Sequence, residues 1–130
     1  MEISADLLAE LKAKQENIAA EIMPLLQGKD YLQQLVDPAM LPLIAASFMQ
    51  SLNAAMEAKN LDSFRNTVDW LFQMAEAKQM ERPLERFMDF LATVEGVVKH
   101  NVSEAYQAEL GAFTAEVKEI FQEAAKLHNA

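Results

Sequence analysis

Two histidines are the first residues to consider for chemistry in this chain, because imidazole binds metal ions and haem iron. His100 stands near the end of an apolar-striped segment, and His128 lies two residues before the last residue. The chain contains no cysteine, which excludes disulfides, thiolate metal sites and a cysteine nucleophile. Two histidines without cysteine cannot complete the usual structural zinc site. We interpret His100 as a polar residue in a last helical turn, where positive charge suits the helix dipole.

Haem and di-iron chemistry are also disfavoured by spacing. In haem globins two long helices follow the proximal histidine, and the 30 residues after His100 in this chain of 130 leave room for one. Ferritin-like di-iron sites need paired Glu-x-x-His motifs, and the sequence has none. His100 and Glu104 are four residues apart, but Asn101 and Ser103 indicate a helix break between them. We therefore expect no cofactor and no metal.

Acidic side chains recur on two predicted helical faces. The acidic set that begins at Glu81 is interleaved with Arg82 and Arg86, as is typical of solvated faces. The sequence has three glycines, no Gly-x-Ser-x-Gly elbow and no Gly-rich phosphate loop. We predict that the protein is not an enzyme and has no catalytic residues. The two acidic sets are Glu81, Glu85 and Asp89, and Glu116, Glu119 and Glu123.

The net charge limits the classes of partner that this chain can bind. The formal charge is −9, and the 11 Lys and Arg residues are scattered, so binding to nucleic acid or to an anionic membrane is disfavoured. We expect no membrane-spanning segment, because no apolar run approaches the ~18 residues that span a bilayer. The acidic start "MEISADLLAE" lacks the basic region of a secretory signal. We expect a cytoplasmic protein.

The elements that would position any site are helices. Ala, Leu, Met, Glu, Gln and Lys abound, while β-branched residues are sparse. Ser4 is the expected N-cap of a first helix, which Pro24 should kink or end. A short helix is expected at "YLQQLV", followed by long helices over about 42–59, 62–78, 83–100 and 103–127. The sequence predicts one all-α domain over residues 1–130, with five long helices and one short one. The seam of the first helix comprises Leu8, Leu11, Gln15, Ile18, Ile22 and Leu25.

Large flexible apolar side chains are more numerous than a minimal helical bundle needs. The chain has eight Met, seven Phe and one Trp. Two interpretations stay open at this point: the side chains fill the core, or some of them line an adaptable pocket for a small apolar ligand. The predicted pocket residues are Phe48, Met49, Trp70, Met74, Phe87 and Met88.

The last helix carries apolar residues at alternating spacings of four and three, as helices that pack lengthwise on one another do. Phe121 widens this stripe. Its partner is either the first helix of the same chain or a second copy, and we predict a homodimer built on this helix. The predicted interface comprises Tyr106, Leu110, Phe113, Val117, Ile120, Phe121, Ala124 and Leu127.

Three consecutive segments carry a family resemblance: "LPLIAASFMQSLNAAMEAKN", "LDSFRNTVDWLFQMAEAKQM" and "ERPLERFMDFLATVEGVV". This order of a Pro-started helix, an Asn/Asp turn, an aromatic-bearing helix and a Pro-Leu-acidic helix start resembles the N-terminal domains of RsbR-type stressosome regulators. The resemblance covers a little under half of the chain.

The resemblance implies a globin-like, haem-free, dimeric regulatory or sensor domain of a bacterial signalling system. In that family such a domain precedes an output domain, so this chain would act alone through a signalling partner or be an excised sensor domain. The alternative function is a ligand-free adaptor that binds another protein through an apolar, Met-rich surface.

Overall fold

A computed structural model describes residues 3–129, and helices make up its secondary structure. The molecule is 85% helical with seven α-helices, and no strand occurs in the described range, so the predicted all-α class is confirmed. Short 3-10 turns at Pro38–Met40 and Glu104–Tyr106 precede the fourth and seventh helices. The helices are α1 (Ala5–Ala13), α2 (Gln15–Gln27), α3 (Asp30–Leu35), α4 (Leu41–Ala58), α5 (Asp62–Ala77), α6 (Pro83–Asn101) and α7 (Gln107–Leu127).

The predicted first long helix is two helices, so the expected count of five long helices is wrong. Lys14 separates α1 from α2 with φ −99° and ψ 3°, away from helical values. Pro24 does not end the helix, because α2 continues to Gln27. The N-cap prediction is confirmed, since the Ser4 hydroxyl accepts a hydrogen bond from the Leu7 amide at 3.1 Å.

The packing order of the helices places α4 at one side of the fold. The closest helix pairs are α2 with α6, α6 with α7, α7 with α5, and α5 with α4. Helix α2 runs antiparallel to α6. The Ser103 hydroxyl, just after α6, donates to Glu10 in the last turn of α1, whereas Lys29, just after α2, pairs with Asp89 in the first half of α6. Helix α4 packs mainly on α5, and α5 packs in turn on α7.

Aromatic side chains form the centre of the core. Phe121 lies on α7 with no exposed surface, and its ring centroid is 5.8 Å from that of Phe87 and 6.2 Å from that of Phe72. Phe48 meets Phe90 edge-on at 5.0 Å. Such tilted and edge-on pairs are the favoured geometries of aromatic rings. In residues 3–129 no polar or charged residue is buried, so the core is held by apolar packing.

The segment Pro38–Ala58, which ends with α4, is unusually apolar for its exposure. Within its 21 residues, a window of 18 residues has a mean hydropathy of 1.3, and 28% of that window is buried. By length and composition it could cross a membrane, so the expectation that no apolar run approaches that length is wrong here. One helix of this kind also occurs in soluble proteins, and within residues 3–129 it is the only one.

Candidate functional site: an apolar cavity

An apolar cavity that is partly open to solvent lies between α2, α4, α6 and α7. Its volume is about 340 Å³. Ile18, Ile22 and Met23 of α2 face Met49 and Met56 of α4 across it. Leu91, Val94 and Val98 of α6 and Leu110, Phe113 and Val117 of α7 close the remaining walls.

The cavity lies where the α1–α2 segment runs antiparallel to α4 and small residues stand between the two. At one end Lys12 pairs with Glu57, with 2.5 Å between Nζ and Oε1. At the other end Leu26 lies close to Leu41. Between these ends the walls include Ala19 on α2 and Ala45 and Ala46 on α4. These short side chains leave space between the two helices.

Polar groups on the cavity wall are few. Gln15, Gln50 and Asn53 bring amide groups to it, and Thr114 brings a hydroxyl that donates to the Leu110 carbonyl at 2.8 Å. Glu95 is the ionisable residue among those lining the cavity. Small-molecule sites typically combine apolar walls with a small number of polar groups that fix orientation, and this cavity has that composition.

The Glu95 carboxylate is engaged by cations. Its Oε1 lies 3.5 Å from Nζ of Lys99 and 3.6 Å from Nζ of Lys118. The Glu95 side chain is 17% exposed, whereas those of Lys99 and Lys118 are 42% and 33% exposed. The two ammonium groups therefore offset the one carboxylate, and the cavity offers no unpaired acid for acid–base chemistry.

The predicted pocket residues lie in different places. Met49 lines the cavity. Phe48 and Phe87 are buried and border a separate void of about 30 Å³. Trp70 is 46% exposed and lines a shallow surface groove. Met74 and Met88 are partly buried against the core. The structure thus does not bring these six side chains into one wall.

The predicted dimer seam on α7 is largely covered by the same chain. The buried residues pack mainly against α5 and α6. Leu110, Phe113 and Val117 also line the cavity together with Leu11, Ile18 and Ile22, which belong to the predicted first helix. Tyr106 is partly buried, and Leu127 is 82% exposed. The homodimer stays a prediction, and sedimentation at several concentrations would test it. The buried members of the seam are Leu110, Phe113, Val117, Ile120, Phe121 and Ala124.

The two histidines have different surroundings. His100 is exposed in the last turn of α6. His128 is a residue that spacing alone did not single out: its ring stacks on Phe72 at 5.9 Å, and its Nε2 lies 2.5 Å from Oδ1 of Asp69. His128 therefore ties the end of α7 to α5. In residues 3–129, no three His, Asp or Glu side chains converge as a metal site would require.

Asp89, one of the carboxylates predicted to lie on a solvated face, takes part in a tertiary contact. The Tyr31 hydroxyl donates to Oδ2 of Asp89 at 2.7 Å, and Nζ of Lys29 lies 2.9 Å from the same oxygen. The hydrogen bond from Tyr31, with that from Lys29, lowers the pKa of Asp89. Burial, and then the hydrogen bond to Asp89, raises the pKa of Tyr31. This cluster fastens α3 and the end of α2 onto α6.

Comparison with protein-family models, with curated protein sequences and with solved structures gave no match to this chain. The candidate site is therefore argued from its own geometry.

Proposed function

We propose that this chain is a non-enzymatic sensor domain that holds a small apolar ligand in the cavity between α2, α4, α6 and α7. The observation that carries the proposal is the cavity itself. Its volume of about 340 Å³ falls within the range of ordinary small-molecule sites, roughly 300–1,000 Å³. Its walls are overwhelmingly apolar, and its few polar groups do not include an unpaired acid or base.

The regulatory part of the proposal rests on the sequence resemblance and on the position of α7. The resemblance implies a haem-free, globin-like sensor that works as a dimer in a bacterial signalling system. Helix α7 contributes Leu110, Phe113 and Val117 to the cavity wall. A ligand would therefore touch the same helix that packs on α5 and α6. Small shifts of a helix at a packed interface are a known means of transmitting binding.

A cavity-filling substitution tests the proposal. Ala45 lines the cavity and is partly buried, so Ala45→Phe should place a ring in the ligand space. Ala54 lies on the exposed face of the same helix and does not line the cavity, so Ala54→Phe is the matched control. The probe is n-butylbenzene, which has ten carbon atoms and no polar group. We expect it to raise the melting temperature of the wild type and of Ala54→Phe, but not that of Ala45→Phe.

Native mass spectrometry of the purified chain would add the identity of any ligand that co-purifies. Stabilisation that is equal in Ala45→Phe and Ala54→Phe would mean that the probe binds elsewhere. Absence of stabilisation in a wild type of full helicity would overturn the proposed ligand binding.

The second candidate function is a ligand-free adaptor. It is favoured by exposed apolar side chains: Leu43 is 62% exposed, and Met40 and Trp70 are each 46% exposed. Met40 and Leu43 are three residues apart at the start of α4, and contiguous exposed apolar patches are typical of protein-binding surfaces. If n-butylbenzene and related apolar compounds do not bind, this function becomes the favoured one, and Leu43→Glu is the variant that should weaken partner binding.

A further inference from the structure

We infer that a second copy of this chain docks on the outward face of α4 and on the groove between α4 and α5, with the two α4 helices antiparallel about a two-fold axis. The inference goes beyond the proposed function, because it assigns a partner surface and does not depend on a ligand in the cavity. It follows from the charge and from the side-chain sizes of this face.

Helix α4 exposes one continuous face. The exposed residues are Pro42, Leu43, Ala46, Ser47, Gln50, Ala54, Glu57 and Ala58. They recur at spacings of three and four, as residues on one side of a helix do. From Pro38 to Met56 the sequence contains no charged residue, and Glu57 at the end of the face is paired with Lys12. The face is therefore without net charge along its length.

A shallow groove between α4 and α5 continues this face. Ile44 and Ser47 of α4 and Asn66 and Trp70 of α5 line it, and all of its lining residues within the described chain are uncharged. Trp70 is 46% exposed. Tryptophan is enriched at protein interfaces, where it commonly anchors the contact. The groove therefore offers an anchor beside the exposed face of α4.

Charge favours this face for a second copy. The chain carries −9, so two copies repel one another across most of their surface. Six of the eight residues of the predicted α7 seam are buried in their own chain, and the side of α7 that carries Leu127 also exposes Glu119. Like charges placed opposite one another weaken association. A second α4 would meet no such charge.

The side-chain sizes along α4 are self-complementary. The centre of the exposed face is the stripe of Leu43, Ser47, Gln50 and Ala54. In an antiparallel pair with its two-fold axis between Ser47 and Gln50, Leu43 of each copy faces Ala54 of the other. A large residue opposite a small one packs without a gap. Ser47 then faces Gln50 of the second copy, where a hydroxyl and a carboxamide can form hydrogen bonds.

The size of the face indicates a weak dimer. Helix α4 has 18 residues, which corresponds to a length of about 27 Å. Two packed helices are roughly 20 Å wide, so the face covers on the order of 500 Å² per copy. The total of about 1,000 Å² is near the lower limit for a specific interface. We therefore expect a dissociation constant on the order of 10 µM.

Sedimentation velocity between about 1 and 200 µM tests the second copy, and the wild type should pass from monomer to dimer over this range. Leu43→Glu and Ala54→Glu should each raise the dissociation constant roughly tenfold, because the symmetry buries two unpaired carboxylates per dimer. Leu127→Glu is the matched control, since it adds the same charge at an exposed leucine of α7 and should leave the dimer unchanged. Circular dichroism checks that each variant keeps its helicity.

Two further measurements report the arrangement. Trp70 is the only tryptophan, so its emission should shift to shorter wavelength as the wild-type concentration rises, and should not shift in Leu43→Glu. The chain contains no cysteine, so a mixture of Leu43→Cys and Ala54→Cys has one thiol per copy. Mild oxidation should link the two variants to each other, because a disulfide joins residues whose Cα atoms are within about 7 Å. Either variant alone should stay mostly unlinked.

A wild type that stays monomeric at about 200 µM would overturn the second copy as the occupant of this face. Loss of the dimer in Leu127→Glu but not in Leu43→Glu would move the interface to α7 and overturn its assignment to α4. Equal linking in the mixture and in either cysteine variant alone would overturn the antiparallel pairing. None of these outcomes changes the binding of n-butylbenzene, so this inference and the proposed ligand binding fail separately.

Discussion

Replacing Phe121 by alanine should be one of the most destabilising single changes in this protein. The Phe121 side chain has no exposed surface. Its ring centroid lies 5.8 Å from that of Phe87, 6.2 Å from that of Phe72 and 6.4 Å from that of Phe64. These rings belong to α5, α6 and α7, so Phe121→Ala opens a void where three helices meet.

The expected loss follows from that burial. Fully buried Phe→Ala substitutions lower the free energy of unfolding by about 3–5 kcal/mol, and we expect about 4 kcal/mol here. For a chain of 130 residues, an unfolding entropy of ~2.1 cal/mol/K per residue gives roughly 0.27 kcal/mol/K. The melting temperature should therefore fall by about 15 °C.

Leu127→Ala is the matched control, since Leu127 belongs to the same apolar stripe but is 82% exposed. Its effect should stay within about 0.5 kcal/mol. Urea unfolding followed by circular dichroism measures both variants. A loss below about 1.5 kcal/mol for Phe121→Ala, or an equal loss for Leu127→Ala, would refute the packing described for α7.

Two further predictions concern the contact between Tyr31 and Asp89. Tyr31→Phe should lower the free energy of unfolding by about 1 kcal/mol through loss of the hydrogen bond, and a carboxyl NMR titration should show the pKa of Asp89 rising toward its ordinary value. Because folding lowers the pKa of Asp89, its contribution to stability is complete above the unfolded value, about 3.9, and is lost as the pH falls through the folded value. Urea unfolding between pH 5 and pH 2 should therefore show a smaller acid loss in Tyr31→Phe than in the wild type, and equal losses would contradict the assignment.

Local patterns predicted much of the helical framework. The limits expected for the fourth helix, 42–59, differ by one residue at each end from α4, because Pro42 suits a first turn and Asn60 with Asp62 forms a turn. The break at Lys14 was missed because that residue has no proline or glycine signal.

Of the walls of the cavity, sequence reasoning named only Met49. An excess of methionine indicated an adaptable apolar region, and Met49 does line the cavity. The other walls are common residues such as Ile18, Val94 and Val117, which periodicity identifies only as inward-facing. Ala45 and Ala46 are equally inconspicuous, although their small size opens the space. A cavity is empty space between packed helices, so it depends on the distances between them. The spacing of residues along the sequence does not give those distances.

The sequence by itself determined the helices, their apolar stripes and the absence of cysteine chemistry, because these follow from residue type and from the 3.6-residue period. Only the tertiary structure decided which apolar stripe packs against which helix. It placed the α7 seam on α5 and α6, joined His128 to Asp69, and left α4 apart from α2 with a cavity between them. The physical reason is that an apolar stripe can be buried against any apolar surface of matching shape. Its partner is chosen only when all the helices pack together.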